Sequence, residues 1–370
     1  MKTTAAVLHE LGGEWSVEEI DLDPPKAGEV LVAMGATGLC HSDAHLITGH
    51  MPTELPVIGG HEGAGTVVEV GPDVKGLKAG DRIVLGFIPS CGQCEECARG
   101  RQNLCVLGAH IAFGRQISDG GSRHHTAGGQ DISIFCVLGA FARHTVVSAA
   151  SCIKIDEGIS LDLACLVSCG VITGWGAAVN AGGVRAGDTV VVVGVGGVGV
   201  NAVQGAVMAG ATKVIAVDPV EFKREKALEF GATHTATNSE EAIALVTDLT
   251  KGRGANVVVN AMGEGTGDQI GKSLAMTGKG GTVVVTNLHA FQESSVHMSA
   301  LELTLMEKRV VGSLFGSSSP RRDIPRFLDM YQDGHLKLDQ LVTTTYKLDD
   351  INQAFTDLHA GRNLRGVIAF

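Results

Sequence analysis

The sequence has no surplus of positive charge: 29 lysines and arginines stand against 40 aspartates and glutamates, for a formal charge of −11. Such a surface repels phosphates, which excludes nucleic acid as the main partner. There is no long apolar run either. The longest, "VVVVGVGGVGV" from Val190, is too short and too rich in glycine to span a bilayer. No export signal is seen, because His9 and Glu10 interrupt the apolar stretch that follows Met1 and Lys2. Internal repeats are absent, and low complexity is confined to "GSSSP". A soluble cytoplasmic protein is therefore expected. In that compartment reductants oppose disulfides, so clustered cysteines point to metal binding or catalysis.

What is present describes a globular chain, 44% hydrophobic and 19% charged, and 370 residues are enough for two domains. Glycine is the outlier at 51 residues, which predicts many tight turns and close backbone contacts. Short β-runs such as "EVLVAMGATG", "GAGTVVEVG" and "GDRIVLGF" dominate up to about residue 155. The stretch "SDGGSRHHTAGGQD" (118–131) reads as a polar loop. From Leu161 the texture changes to helical stretches and then to strands alternating with helices. "TVVVVG", "KVIAVD", "NVVVNAMG" and "GTVVVTN" read as buried parallel strands, and "VEFKREKALEFG" as a helix closed by Gly231. The end of the chain returns to a helix and a last strand, a tail that can rejoin the first domain.

Four of the nine cysteines fall within "CGQCEECARGRQNLC": Cys91, Cys94, Cys97 and Cys105. Two-residue gaps let a turn present successive sulfurs to one ion, and four thiolates complete a tetrahedral zinc site with no open position. Such a site is structural. A nucleic-acid-binding zinc ribbon shares this chemistry, but the loop lacks a strong basic surface.

"TVVVVGVGGVGVNAVQGAVMAGATKVIAVD" runs strand, glycine loop, helix, strand, acid. Gly194, Gly196 and Gly199 form G-x-G-x-x-G, with Gly197 and Val198 between them, which suits a dinucleotide diphosphate at a helix N-terminus. Asp218 ends the next strand, where an acid accepts hydrogen bonds from the ribose of NAD and repels the 2′-phosphate of NADP. Lys223 reads as a ribose contact and Arg224 as a charge on a solvated helix face.

Three further segments stand out: "GLCHSDAH" (38–45), "GGHEGAG" (59–65) and "SCGVITG" (168–174). Taken singly, Cys40 and Cys169 read as small core residues and His61 as a buried imidazole. Together they supply two thiolates and an imidazole, with a fourth zinc position open.

With these motifs the chain resembles the zinc-dependent alcohol dehydrogenases of the medium-chain dehydrogenase/reductase family along its whole length. The resemblance implies an α/β protein: a GroES-like, β-rich catalytic domain over 1–170 with a structural zinc lobe at 88–108, a Rossmann doubly wound parallel sheet over 171–313 binding NAD, and a return to the catalytic domain over 314–370. It makes Cys40, His61 and Cys169 ligands of a catalytic zinc, and Asp43 and Glu62 carboxylates that orient His61 or interact with the metal. Ser42 would hydrogen-bond the alcohol and His45 would end a proton relay. Thr173 would lie against the nicotinamide, Phe87 would line the substrate pocket, and Arg365 would be a basic residue near the diphosphate. His41 stands where some members carry an arginine that grips the diphosphate. Hydride transfer from an alcohol to NAD, giving an aldehyde or ketone, is the implied reaction.

Within the family, "MPTELPVIGGHEGAG" and "DPVEFKREKALEFGATH" look similar to bacterial nicotinoproteins, which retain NAD(H) and pass electrons to a nitrosoaniline acceptor. A thiol-dependent formaldehyde dehydrogenase shares every motif. It would need a polar or cationic grip on the thiol's carboxylates, for which Arg115 and Arg123 are candidates. A chemically silent nucleotide-binding protein predicts a damaged ligand set, and Cys40, Ser42, His45, His61 and Cys169 are all present. The long segment from Val106 to Ala150 resembles that of dimeric members, so a homodimer is expected.

Overall fold

A computed structural model of the chain describes residues 1–290 and 293–370. It divides into two compact units: Met1–Cys169 together with Ser319–Phe370, and Gly170–Ser318.

The first unit is β-rich. Its largest sheet is organised by the strand Glu29–Gly38, which pairs antiparallel with Gly63–Val70, His144–Ser148 and the closing strand Arg365–Ala369. That last pairing explains why the tail belongs here: Val367 and Ile368 are fully buried beside Gly38 and Thr37. Val30, Val32 and Met34 turn into a core shared with Val67, Ile83, Leu85 and Val147, while Leu31 between them packs with Leu22 and Val146. Successive side chains thus go to opposite faces of the strand, and both faces are covered. A second sheet pairs Lys2–Leu8 with Ser16–Leu22. Its core holds Trp15 edge-on to Phe141 at 5.6 Å and stacked on Phe355 at 5.8 Å, tying the helix Ile351–His359 to the N-terminal strands.

The polar stretch 118–131 is less open than its composition suggests. Arg123 is 1% exposed and pairs with Glu29 at 2.7 Å and Asp119 at 2.9 Å. Ser118 also bonds Glu29. The buried carboxylate of Glu29 needs such partners, so the loop folds inward to supply them.

The second unit is a six-stranded parallel sheet. Its strand order is His234–Ala236, Lys213–Val217, Thr189–Val193, Ala255–Asn260, Thr277–Val285, Arg309–Gly312. This is the doubly wound order, with the first strand inside and the chain moving outward on both sides of it. Every residue of Thr189–Val193 is buried, as a strand covered on both faces requires. Residues 314–318, assigned to the closing segment by sequence, stay with this unit. Gly316 packs against the backbone of Ile172 and Gly176, and Asn180 donates to Gly316 O at 3.2 Å and to Ser318 Oγ at 3.0 Å. Among the described residues, no single helix is long and apolar enough to cross a membrane.

Candidate functional site

The four-cysteine lobe holds its thiols at metal-binding spacing. Cys91 and Cys97 sulfurs lie 3.9 Å apart, as do those of Cys94 and Cys105. With Zn–S bonds of about 2.3 Å, the edge of a tetrahedron is about 3.8 Å, far longer than the roughly 2 Å of a disulfide. Backbone N–H groups support the sulfurs: Cys91 N donates to Cys105 Sγ and Cys94 N to Cys91 Sγ, both at 3.3 Å. Backbone donors near Val106 and Cys97 hold Cys94 down at about 6, while burial pushes Cys97 up to about 12. The protein alone therefore favours ionising part of the set, and a dication is what lets all four thiols be thiolates.

The second cluster is assembled from three places in the first unit. Cys40 precedes the helix His41–Thr48, His61 follows a turn at Gly60 (φ 86°), and Cys169 ends the unit's first segment. Their ligand atoms and a Glu62 carboxylate oxygen all lie within 4.8 Å of one another, and all four residues are buried. Asp43 sets the orientation of His61. Its Oδ1 lies 3.2 Å from His61 Nδ1 and accepts Gly60 N–H at 2.9 Å, which leaves Nε2 for the cluster.

The electrostatics are those of a site built around a cation. A hydrogen bond from Cys169, followed by His61, holds the Cys40 thiol well below the ordinary cysteine range. Its partner Cys169 is pushed well above that range by the same contact and by burial. Burial disfavours the imidazolium of His61, but Asp43 and Cys40 outweigh it and raise its pKa. Two thiols sharing one proton beside a charged imidazole is a costly buried arrangement. A dication replaces those protons and suits all three donors.

Around this cluster the structure locates the other expected residues of the unit. Ser42 Oγ lies 3.6 Å from Cys40 Sγ. His45, 4% exposed, lies on the same helix with its ring 5.5 Å from that of His50. Phe87 meets His61 edge-on at 5.8 Å. His41 opens the helix, half-buried, with its ring 6.5 Å from His359. Arg365, 5% exposed, pairs with Glu62, and the absence of a side chain at Gly38 leaves room for that pair. Glu62, expected to orient His61 or to interact with the metal, places a carboxylate oxygen in the cluster itself.

One residue was missed. Phe135 sets its ring edge-on to His61 at 5.3 Å, closer than Phe87. No motif marks it. It arrives because Ser133–Ile134 pairs in parallel with Val57–Ile58, a contact between distant segments.

Arg115 and Arg123, the candidate grips on a thiol's carboxylates, are both engaged internally. Arg115 pairs with Glu54 at 2.7 Å and Asp131 at 3.0 Å, and Arg123 with Glu29 and Asp119 as described.

In the second unit the glycine loop has the shape a diphosphate requires. Gly194, at φ 82°, turns so tightly that a Cβ would meet the backbone of Met262. A Cβ on Gly199 would strike Gly194 O, whereas one on Gly196 would meet nothing within 4 Å. The middle glycine thus faces open space, and Gly197 and Val198 lead from it into the helix Gly199–Met208. Asp218 Oδ2 accepts Val195 N–H at 3.0 Å and Oδ1 accepts Val220 N–H at 2.9 Å. The acid therefore anchors the loop, with lone pairs remaining for ribose hydroxyls. Lys223 is half-buried on the helix Glu221–Glu229. Arg224 is not a solvated charge: it donates to Asp218 O at 2.7 Å and Pro219 O at 2.9 Å. Thr173 is buried, and among the described residues its hydroxyl has no hydrogen-bond partner. That orphaned group and the open loop fit a bound nucleotide.

Comparison with known proteins agrees with this geometry. Residues 26–157 match the alcohol dehydrogenase GroES-like domain, and residues 197–333 the zinc-binding dehydrogenase family. An NDMA-dependent alcohol dehydrogenase of Amycolatopsis methanolica is 51% identical over 368 residues, covering 100% of this chain and 99% of that protein. An S-(hydroxymethyl)glutathione dehydrogenase of Paracoccus denitrificans is 35% identical, with both chains fully covered. The crystal structure of an alcohol dehydrogenase zinc-binding domain protein from Burkholderia ambifaria superposes with a TM-score of 0.93 at 34% identity, covering 100% and 99% of the two chains.

Proposed function

Because the chain belongs to the zinc-containing medium-chain alcohol dehydrogenase family, close to its NDMA-dependent members, we infer that it is an NAD(H)-dependent alcohol dehydrogenase. One observation carries this: the buried convergence of Cys40, His61 and Cys169, three donors that would leave a tetrahedral position for a substrate oxygen while Glu62 is held by Arg365. When bound, zinc polarises that oxygen as a Lewis acid and NAD accepts hydride.

The chain's own residues do the rest. Asp43 fixes the ring of His61, and Glu62 with Arg365 balances charge beside the thiolates. Ser42 takes the alcohol proton and His45 passes it outward, a role its burial on the same helix supports. Phe87 and Phe135 form an apolar wall at His61 that excludes water and favours an apolar substituent on the alcohol. Gly194, Gly196, Gly197, Val198 and Gly199 cradle the diphosphate. Asp218 and Lys223 hold the ribose, and Thr173 the nicotinamide.

The nucleotide is retained through turnover, and electrons leave to an external acceptor. The 51% identity to an NDMA-dependent enzyme over the whole chain supports this more than the 35% identity to the glutathione-adduct enzyme supports a thiol-dependent substrate. The internal pairing of Arg115 and Arg123 weighs against the latter too. Free thiols at all nine cysteines suit the cytoplasm. A homodimer is supported by the open edge strand Arg309–Gly312 and by Leu301 and Leu305, 69% and 72% exposed on the neighbouring helix.

Retention through purification needs a dissociation constant on the order of nanomolar. Denaturing gel-filtered protein should release nicotinamide nucleotide near one per chain, with dye reduction independent of added NAD. An empty supernatant, with activity that strictly requires added NAD, would return the protein to the dissociable class.

A further inference from the structure

The parallel sheet of the second unit has two ends, and the glycine loop occupies only one of them, beyond the last residues of its strands. At the other end, where the strands begin, lies a cavity of about 340 Å³. That volume suits a small ligand. Arg185 stands in the turn before Thr189–Val193, Lys279 in the first turn-like residues of Thr277–Val285, and Arg309 opens Arg309–Gly312. Asn256 and Thr282 add polar groups from the strands between.

One acid, Asp188, shares the lining and forms no ion pair with the three cations, so the formal charge there is +2, three cations less one carboxylate. Its Oδ2 accepts the backbone N–H of Arg185 at 2.8 Å, closing the turn. Among the described residues none of the three cations, all of them exposed, makes an ion pair. Arg309 Nη2 donates to Gly280 O at 3.2 Å, which fixes its guanidinium on the rim. Asn256 Oδ1 accepts Thr189 N–H at 2.9 Å, so its NH₂ group remains a donor. A chain of formal charge −11 has carboxylates in excess, yet it gathers three cations around one concavity that holds a single acid. Like charges so placed raise the energy of the ligand-free protein, and an anion relieves it.

We propose that this cavity binds a phosphate-bearing small molecule, whose oxygens are taken by the Arg185 and Arg309 guanidinium groups and the Lys279 ammonium. It lies at the opposite end of the sheet from the nucleotide cradle and does not depend on the redox chemistry. Strand pairing at the sheet edge would use the backbone of Arg309–Gly312 and leave the face bearing Arg309 and Val311 in place.

The test uses full-length holoenzyme saturated with NAD, so that the cradle is filled. Inorganic phosphate, pyrophosphate and AMP are titrated calorimetrically. Saturable phosphate binding is expected, weakened about tenfold in Arg185→Ala and in Lys279→Ala, the loss of roughly one charged hydrogen bond. AMP binding more tightly than phosphate assigns the group to a nucleotide, and equal affinities assign it to phosphate alone. Either supports the site. The same variants should keep or raise the melting temperature without ligand, because each removes a like charge, whereas a purely structural cation would lower it. No binding of any probe at millimolar concentration overturns the proposal. So does binding that neither variant weakens, or equal affinity for chloride.

Discussion

Asp218 does two jobs that substitution can separate. Its carboxylate accepts Val195 N–H at 3.0 Å and Val220 N–H at 2.9 Å, and it is 6% exposed. Hydrogen bonds to a charged acceptor contribute about 1.5–3 kcal/mol each. Asp218→Ala strands both amides and should destabilise the protein by about 3 kcal/mol, allowing for water reaching part of the gap. Asp218→Asn keeps one acceptor oxygen and should cost about half as much. The effect on cofactor choice has another origin. A unit charge about 5 Å from a 2′-phosphate charge is repelled by about 3 kcal/mol at an effective dielectric constant of about 20. Asn removes that charge, so the ratio of NAD to NADP affinity should fall at least about tenfold after screening. Calorimetric titration of nucleotide-stripped protein with each cofactor measures the ratio, and urea unfolding measures stability in parallel. Both cofactors bind the same folded state, so lost stability cannot imitate a changed ratio. If Asp218→Asn stays folded and keeps the wild-type ratio, Asp218 anchors the loop without reading the ribose.

Other perturbations address the metal lobe, the relay and a buried histidine. Cys94→Ser should lower the zinc content by about one per chain and promote aggregation on heating, since an incomplete tetrahedral site forfeits metal-coupled folding energy; unchanged zinc and melting would refute the lobe's assignment. His45→Gln should slow alcohol oxidation most at low pH, with partial recovery in concentrated buffer base; a loss independent of pH and buffer would mean that His45 only packs. His124 is fully buried, and burial above all lowers its pKa to about 3. Thr145 Oγ1 donates to Leu138 O, so it accepts from His124 Nε2, whereas among the described residues Nδ1 has no partner with which to bear a proton. The unfolded chain binds that proton below about pH 6.5, so stability should fall with pH from there, by about 2 kcal/mol at pH 5. His124→Gln should flatten that slope relative to wild type, and an identical slope would exclude His124 as its cause.

The parts of the fold that were legible in sequence are those governed by local rules. The buried parallel strands showed as unbroken valine runs, and the glycine loop as a spacing whose three positions meet three different steric demands. The four-cysteine lobe was legible for the same reason, since one turn fixes all its ligands. Cys40, His61 and Cys169 are far apart in the chain; their donor chemistry suggested one zinc site, and the family resemblance assigned them to it. Contacts made by tertiary packing were not legible. Phe135 reaches His61 through a parallel pairing of two short strands, Arg123 is drawn inward by a carboxylate distant in sequence, and Arg224 turns back onto the carbonyls of Asp218 and Pro219. Nor did residues 314–318 carry a signal of their unit, which is set by backbone contact of Gly316 with the helix Gly170–Gly176.

The most direct measurement is the zinc content of wild-type protein and of Cys40→Ser, taken alongside alcohol oxidation. Two zinc ions per chain are expected in wild type, and one in a folded Cys40→Ser that has lost activity. A wild type that holds no zinc and oxidises alcohols at full rate, or a Cys40→Ser that keeps both ions and its activity, would contradict a catalytic metal held by Cys40, His61 and Cys169.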